Sequence, residues 1–161
     1  MASVTEIDAS DFRRLDEFPL KWRWTDSRWN KLPNDALDAI QPLGESKARE
    51  LCQYTFGFTD HNGLIESLFD RVLQIGASDE SPEIQHWLIA RAPDLNQTVV
   101  VSWNNDLAAL VRWEVFCRYW DDFCYPSSDD VAVFPLSGKW ILFYSHDQYF
   151  MFGERHISGA A

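Results

Sequence analysis

Residues 113–134 read WEVFCRYWDDFCYPSSDDVAVF, and the change of period inside this stretch sets the fold class. Trp113, Phe116, Cys117, Trp120, Phe123 and Cys124 recur at i, i+3, i+4, i+7, i+10 and i+11, one broad apolar face of a helix over 113–124. Pro126 ends that helix, because proline supplies no backbone donor and restricts the residue before it. Beyond it Val131–Phe134 reads as a strand. Trp140–Tyr144 and Tyr149–Phe152 follow as two more, with turns at 137–138 and 145–148. The run TrpIleLeuPheTyr is apolar without alternation, the pattern of a strand covered on both faces.

Working back toward the N-terminus, Thr98–Trp103 is β-branched and precedes the turn residues Asn104, Asn105 and Asp106; Leu107–Val111 then fits either a returning strand, the preferred reading, or the first turns of a helix running to Cys124. Ser81 and Pro82 suit a helix N-cap and first turn, leading into Ile84, Trp87 and Leu88. Leu64, Ile65, Leu68, Phe69, Val72 and Leu73 fit helical spacing, with Gly76 as the stop, and Ser46 can cap a helix with Ala48, Leu51, Cys52, Thr55 and Phe56 on its apolar face. These readings predict an α+β fold: N-terminal helices packed on a C-terminal, mainly antiparallel sheet, with one amphipathic helix near 113–124.

The chain has 161 residues, which suits one domain over 1–161; 46% of it is hydrophobic and it contains eight tryptophans, enough apolar material for a sizeable core. The net charge is −11, divided as −3 over residues 1–60 (11 acids, 8 bases) and −8 beyond (14 acids, 6 bases). Such a surface repels phosphate backbones and anionic headgroups, so neither direct nucleic-acid nor membrane binding is expected. The start MASVTEIDASDF lacks a basic region followed by an apolar run, and no 18 uncharged apolar residues run together. A cytoplasmic protein is therefore expected. Cys52, Cys117 and Cys124 are read as reduced, buried thiols; Cys117 and Cys124 lie seven apart on the expected helix, roughly 10 Å and beyond disulfide reach.

The candidate functional residues are Glu114, Asp121, Asp122, Asp129 and Asp130. On a continuous helix Glu114, Arg118, Asp121 and Asp122 share a solvent-facing stripe, with Glu114 and Arg118 spaced for an ion pair. Asp121 and Asp122 fall in its last turns, where the helix dipole disfavours carboxylates. Asp129 and Asp130 follow at the mouth of the next strand, so the fold can bring four carboxylates together. Such a cluster calls for a cation: an internal Arg or Lys such as Arg112 or Arg118, a divalent metal, or a basic partner. Metal motifs are absent, His61, His86, His146 and His156 have no zinc-like spacing to cysteine, and no cofactor signature occurs, so neither a metal nor a cofactor is expected.

Ser145, His146 and Asp147 are consecutive, whereas triad members converge from separated positions, so a turn is the better reading. The segment TrpArgTrpThrAspSerArgTrp, Trp22 to Trp29, has the composition of an interaction hot spot and also of a core edge stapled by cation–π contacts; packing is the preferred reading, because eight tryptophans must mostly be buried.

The WEVFCRYWDDFCYPSSDD segment and the Trp140–Phe152 strands resemble the C-terminal half of a family of small acidic bacterial proteins without an assigned function, over roughly residues 98–155. The pattern is also similar in style to the immunity proteins of bacterial toxin systems. That resemblance implies a stoichiometric toxin inhibitor with a basic protein partner, its acidic residues steering encounter. The alternatives are an enzyme using paired carboxylates beside His146 or Tyr125, and a structural module whose aspartates are satisfied internally.

Overall fold

Val99, Val100 and Val101 are all buried because successive strand side chains point to opposite faces, and here both faces of the sheet are covered. The computed structural model describes residues 6–78 and 82–155. The first half of the chain forms α1 (Trp22–Thr25), α2 (Asn34–Ala39), β1 (Gln41–Pro42), α3 (Glu45–Phe56), β2 (Thr59–Asp60), β3 (Gly63–Leu64) and β4 (Arg71–Gly76). Then come α4 (Pro82–Arg91), β5 (Thr98–Asn104), β6 (Leu107–Arg112), α5 (Trp113–Arg118), α6 (Trp120–Phe123), β7 (Val131–Pro135), β8 (Trp140–Ser145) and β9 (Tyr149–Glu154). Seven strands make one antiparallel sheet in the order β1-β6-β5-β7-β8-β9-β4, and β2 with β3 makes a separate hairpin. The fold is α+β, with helices mostly N-terminal and the sheet mostly C-terminal.

Two apolar clusters lie on the two faces of the large sheet. Val99, Val101, Val133, Leu142 and Phe152 pack on one side with α4, α5, α6 and residues of the 18–40 segment, including Trp24 and Leu32. Val100, Leu110, Phe134, Ile141 and Met151 pack on the other with Leu51 and Tyr54 of α3 and with Leu64 and Phe69. Among the described residues no helix is long and apolar enough to cross a membrane. Cys52, Cys117 and Cys124 are free and buried, and burial pushes each thiol above its ordinary range.

Three local expectations are corrected. The helix expected over 64–73 is instead a hairpin, a single 3-10 turn (Glu66–Leu68) and the edge strand β4. Its apolar spacing serves a period of two: Val72 joins one cluster and Ile75 the other, while the β4 backbone pairs with β9. The overlooked signal is Asp60-His61-Asn62-Gly63, a turn sequence in which Gly63 has φ 105° and the Asp60 carboxylate accepts from the Asn62 N–H at 2.8 Å. A Cβ at Gly63 would also sit 2.6 Å from the Met151 sulfur.

The helix expected to be capped by Ser46 starts two residues earlier, with Gly44 at the cap position, and it buries Tyr54 while Phe56 is left exposed. Ser81, expected as the cap of α4, lies outside the described residues, as does His156; Pro82 does open α4.

The third correction bears on the acidic residues. The expected continuous helix over 113–124 breaks at Tyr119 (φ −118°, ψ 29°) into α5 and α6. The break keeps Trp113, Phe116, Trp120 and Phe123 all buried, and it turns Asp122 inward, to 7% exposure, off the predicted solvent stripe. It also places Asp121 and Asp122 in the first turn of a new helix, where backbone N–H groups favour carboxylates, so the expected dipole penalty is reversed in sign.

Candidate functional site

The two unusual stretches of the sequence, 22–29 and 119–130, meet. Arg23 of α1 reaches across and forks onto Asp129, Nη1 to Oδ2 at 2.6 Å and Nη2 to Oδ1 at 3.0 Å, with both side chains at least nine-tenths buried. The guanidinium also lies over the Tyr125 ring, 4.0 Å from its centre, and 5.5 Å from the centre of Trp22. Asp129 accepts further from the Tyr125 N–H (2.9 Å), which closes the 125–129 turn.

Around this pair the tryptophans donate to the carbonyls of α6. Trp24 Nε1 gives to Asp122 O at 3.0 Å and Trp103 Nε1 to Phe123 O at 2.7 Å. Asn30 Nδ2 donates to the Asp122 carboxylate at 3.0 Å. The buried charge is tolerated because both Arg23 Nη atoms meet Asp129, although the Arg23 Nε is buried without a hydrogen-bond partner. The arrangement clamps the N-terminal segment onto the connection between α6 and β7. The cation answering Asp129 is Arg23, an internal base other than the two, Arg112 and Arg118, named as examples from the sequence.

Outside the clamp the aromatic side chains reach the surface. Trp22, Trp29 and Tyr125 form a triangle with ring centres 5.1 Å, 5.8 Å and 6.2 Å apart. Trp29 is 50% exposed, while five of the eight tryptophans are buried and Trp22 and Trp87 half-buried. Trp29 borders an open groove of about 400 Å³ that is also lined by Arg28, Asn30, Asp121, Asp122, Tyr125 and Pro126. On the far side of Trp29, Arg28 pairs with Asp26 at 2.7 Å, and its hydrogen bonds hold the Asp26 carboxyl down at about 2. Asp121 and Asp122 thus line the groove on one side of Trp29, and the Arg28–Asp26 pair stands beside it.

The remaining candidates lie elsewhere. Glu114 faces Arg118 at 3.8 Å on the exposed side of α5. Asp130 points to the opposite side from Asp129, as neighbours on an extended chain do; it accepts from the His146 N–H and lies 2.9 Å from His146 Nδ1. It lines a second groove with Thr55, Phe56, Asp60, Asn104 and Phe143. The four aspartates therefore form no single cluster: Asp122 and Asp129 are internal, Asp121 lines the aromatic groove, and Asp130 belongs to another surface.

His146 has Asp130 on Nδ1 and Asp147 3.6 Å from Nε2, and the Ser145 hydroxyl accepts from the Asp147 N–H; the segment is the expected turn, with Gln148 at φ 66°. Among the described residues no group of three His, Cys, Asp or Glu side chains could hold a metal ion.

Sequence reasoning singled out both halves of this site and did not join them. Arg23 and Asp129 are 106 residues apart, and no spacing rule links such positions. The one available pointer was an arginine flanked by tryptophans in a chain with an excess of acids. No protein-family profile matches the chain, and no curated protein or solved structure matches it either.

Proposed function

We propose that this chain is a cytoplasmic protein-binding module of the immunity type, which neutralises a basic bacterial toxin by stoichiometric occlusion. The observation that carries this reading is Trp29, the one exposed tryptophan, standing beside a groove lined by Asp121 and Asp122 and braced by Trp22 and Tyr125. A rigid aromatic anchor ringed by polar groups is the anatomy of a binding hot spot. The net charge of −11 steers a cationic partner toward the surface and disfavours nucleic acid. In this reading Asp121 contributes at the contact, Glu114 and Asp130 contribute long-range attraction, and the buried Asp122 and Asp129 act from behind, Asp129 by holding Arg23 under Tyr125.

The test compares wild type with Trp29→Ala and Asp121→Asn in capture from the source organism's lysate at low and high salt, followed by calorimetric titration of the purified partner. Asp129 is left intact, since removing it would unfold the site. One basic protein bound 1:1 is expected, with Trp29→Ala weakening it by about 30-fold or more and Asp121→Asn slowing association mainly at low salt. Equal affinity for all three proteins would remove this groove from the account.

A further inference from the structure

The two edges of the seven-stranded sheet are built differently. β1 is two residues long, contains Pro42, and is flanked by the 12–13 segment: Phe12 bridges Leu43 and the Arg13 N–H donates to Pro42 O at 3.0 Å. That edge is blunted in the usual ways. β4 at the other edge is six residues, RVLQIG, without proline and with a single charge at its first position. Among the described residues no strand lies beyond it.

The register with β9 shows which backbone groups of β4 face outward. Arg71 pairs with Glu154 and Gly76 with Tyr149, and the Ala77 N–H donates to Gln148 O at 2.8 Å. Bonded pairs alternate along an antiparallel ladder, so Leu73 and Ile75 share the bonding parity of Ala77. Val72, Gln74 and Gly76 then present their N–H and C=O groups away from the sheet. Gln74 and Gly76 are exposed, and a Cβ built on Gly76 meets nothing within 4 Å.

We infer that β4 is a dimerisation edge that pairs antiparallel with β4 of a second copy about a two-fold axis at Gln74. This register alone uses all three outward residues: Val72 opposite Gly76, Gln74 opposite Gln74, and Gly76 opposite Val72. It forms six main-chain hydrogen bonds by the alternation rule. Leu73 of each copy then lies opposite Ile75 of the other, so two half-exposed apolar side chains per strand gain a cross-strand partner. Glycine leaves room opposite Val72, and the paired Gln74 amides offer donor to acceptor. Centring the axis on Val72 instead would leave Gly76 unpaired and bring Asp70 against Gln74. The occupant is a second copy because the strand is complementary to itself residue by residue. The charge of −11 on each copy opposes the dimer, which salt should therefore strengthen.

Sedimentation of the full chain over a concentration series at low and high salt tests this. A monomer–dimer equilibrium is expected, shifted toward dimer by salt. Gln74→Pro removes only an outward N–H, a position where an edge strand tolerates proline, and should yield a folded monomer. Gln74→Cys should form an intermolecular disulfide on mild oxidation, since bonded pairs hold Cα atoms about 5.5 Å apart, within disulfide range, and the native cysteines are buried. Arg71→Cys, which faces Ala77 of the other copy, should not. A wild type that stays monomeric overturns the inference, including the case in which the edge accepts an unrelated extended peptide. So does a dimer that survives Gln74→Pro with its circular dichroism unchanged. If Gln74→Pro fails to fold, the cross-link decides: none from Gln74→Cys, or equal cross-linking from Arg71→Cys, overturns it.

Discussion

Asp121-Asp122 and Asp129-Asp130 are the same dipeptide, eight residues apart, and each divides between the interior and the surface. Asp122 and Asp129 are buried, bonded to Asn30 and Arg23 across 92 and 106 residues of chain. Asp121 lines the aromatic groove, and Asp130 contacts a turn histidine. The difference teaches that an acidic run is not one functional unit. The inward member of each pair holds the fold together, and the outward member lies toward the surface.

The sharpest way to break this comparison is to truncate one member of the second pair at a time. Asp129→Ala strands the Arg23 charge in the interior and should cost about 3–5 kcal/mol in urea unfolding. Asp130→Ala, an exposed change, should stay within about 0.5 kcal/mol. Replacing both ends of the buried pair, Arg23→Met with Asp129→Leu, should recover much of the loss, because no uncompensated charge remains. Equal effects of Asp129→Ala and Asp130→Ala would abolish the distinction.

The first pair offers a milder version. Asp122→Ala removes the acceptor of the Asn30 amide and should cost about 1 kcal/mol, with Asp121→Ala smaller. A double-mutant cycle with Asn30→Ala isolates the bond; a coupling energy near zero would mean that Asn30 does not hold Asp122 inward.

How much of this was legible follows from where the information lies. Most strands from Thr98 onward are β-branched or aromatic runs between clear turn residues, so their class could be read directly; Leu107–Val111, without that composition, fitted a strand or the start of the following helix until its pairing with β5 decided it. The 64–73 segment could not, because short apolar runs fit periods of two and 3.6 alike, and only pairing with β9 decides between them. For the site, the sequence showed Trp22–Trp29 and the aspartates as unusual but placed Asp122 on a solvent stripe. That placement assumed a helix unbroken at Tyr119, and a break of one residue rotates everything after it. The partner of Asp129 was invisible for a different reason: Arg112 and Arg118 are near in sequence, whereas Arg23 is near only in the fold.

The smallest expected effect sharpens the comparison at Asp130. Its hydrogen bond to His146, and then its charge, raise the His146 pKa above the ordinary 6.5. A raised folded value means that the contact favours the folded state fully below 6.5 and that this contribution fades as pH rises through the folded pKa. Asp26 runs the other way: lowered to about 2 by Arg28, it contributes above the ordinary 3.8 and loses that contribution as pH falls through about 2. An NMR titration of His146, assigned with a His146→Gln variant, should show the raised value in wild type and a return toward 6.5 in Asp130→Asn. Above that pKa the imidazole is neutral and the Asp130 charge is no longer offset, so the long-range pull on a cationic partner should strengthen as His146 deprotonates. A His146 titration indifferent to Asp130→Asn would break this link.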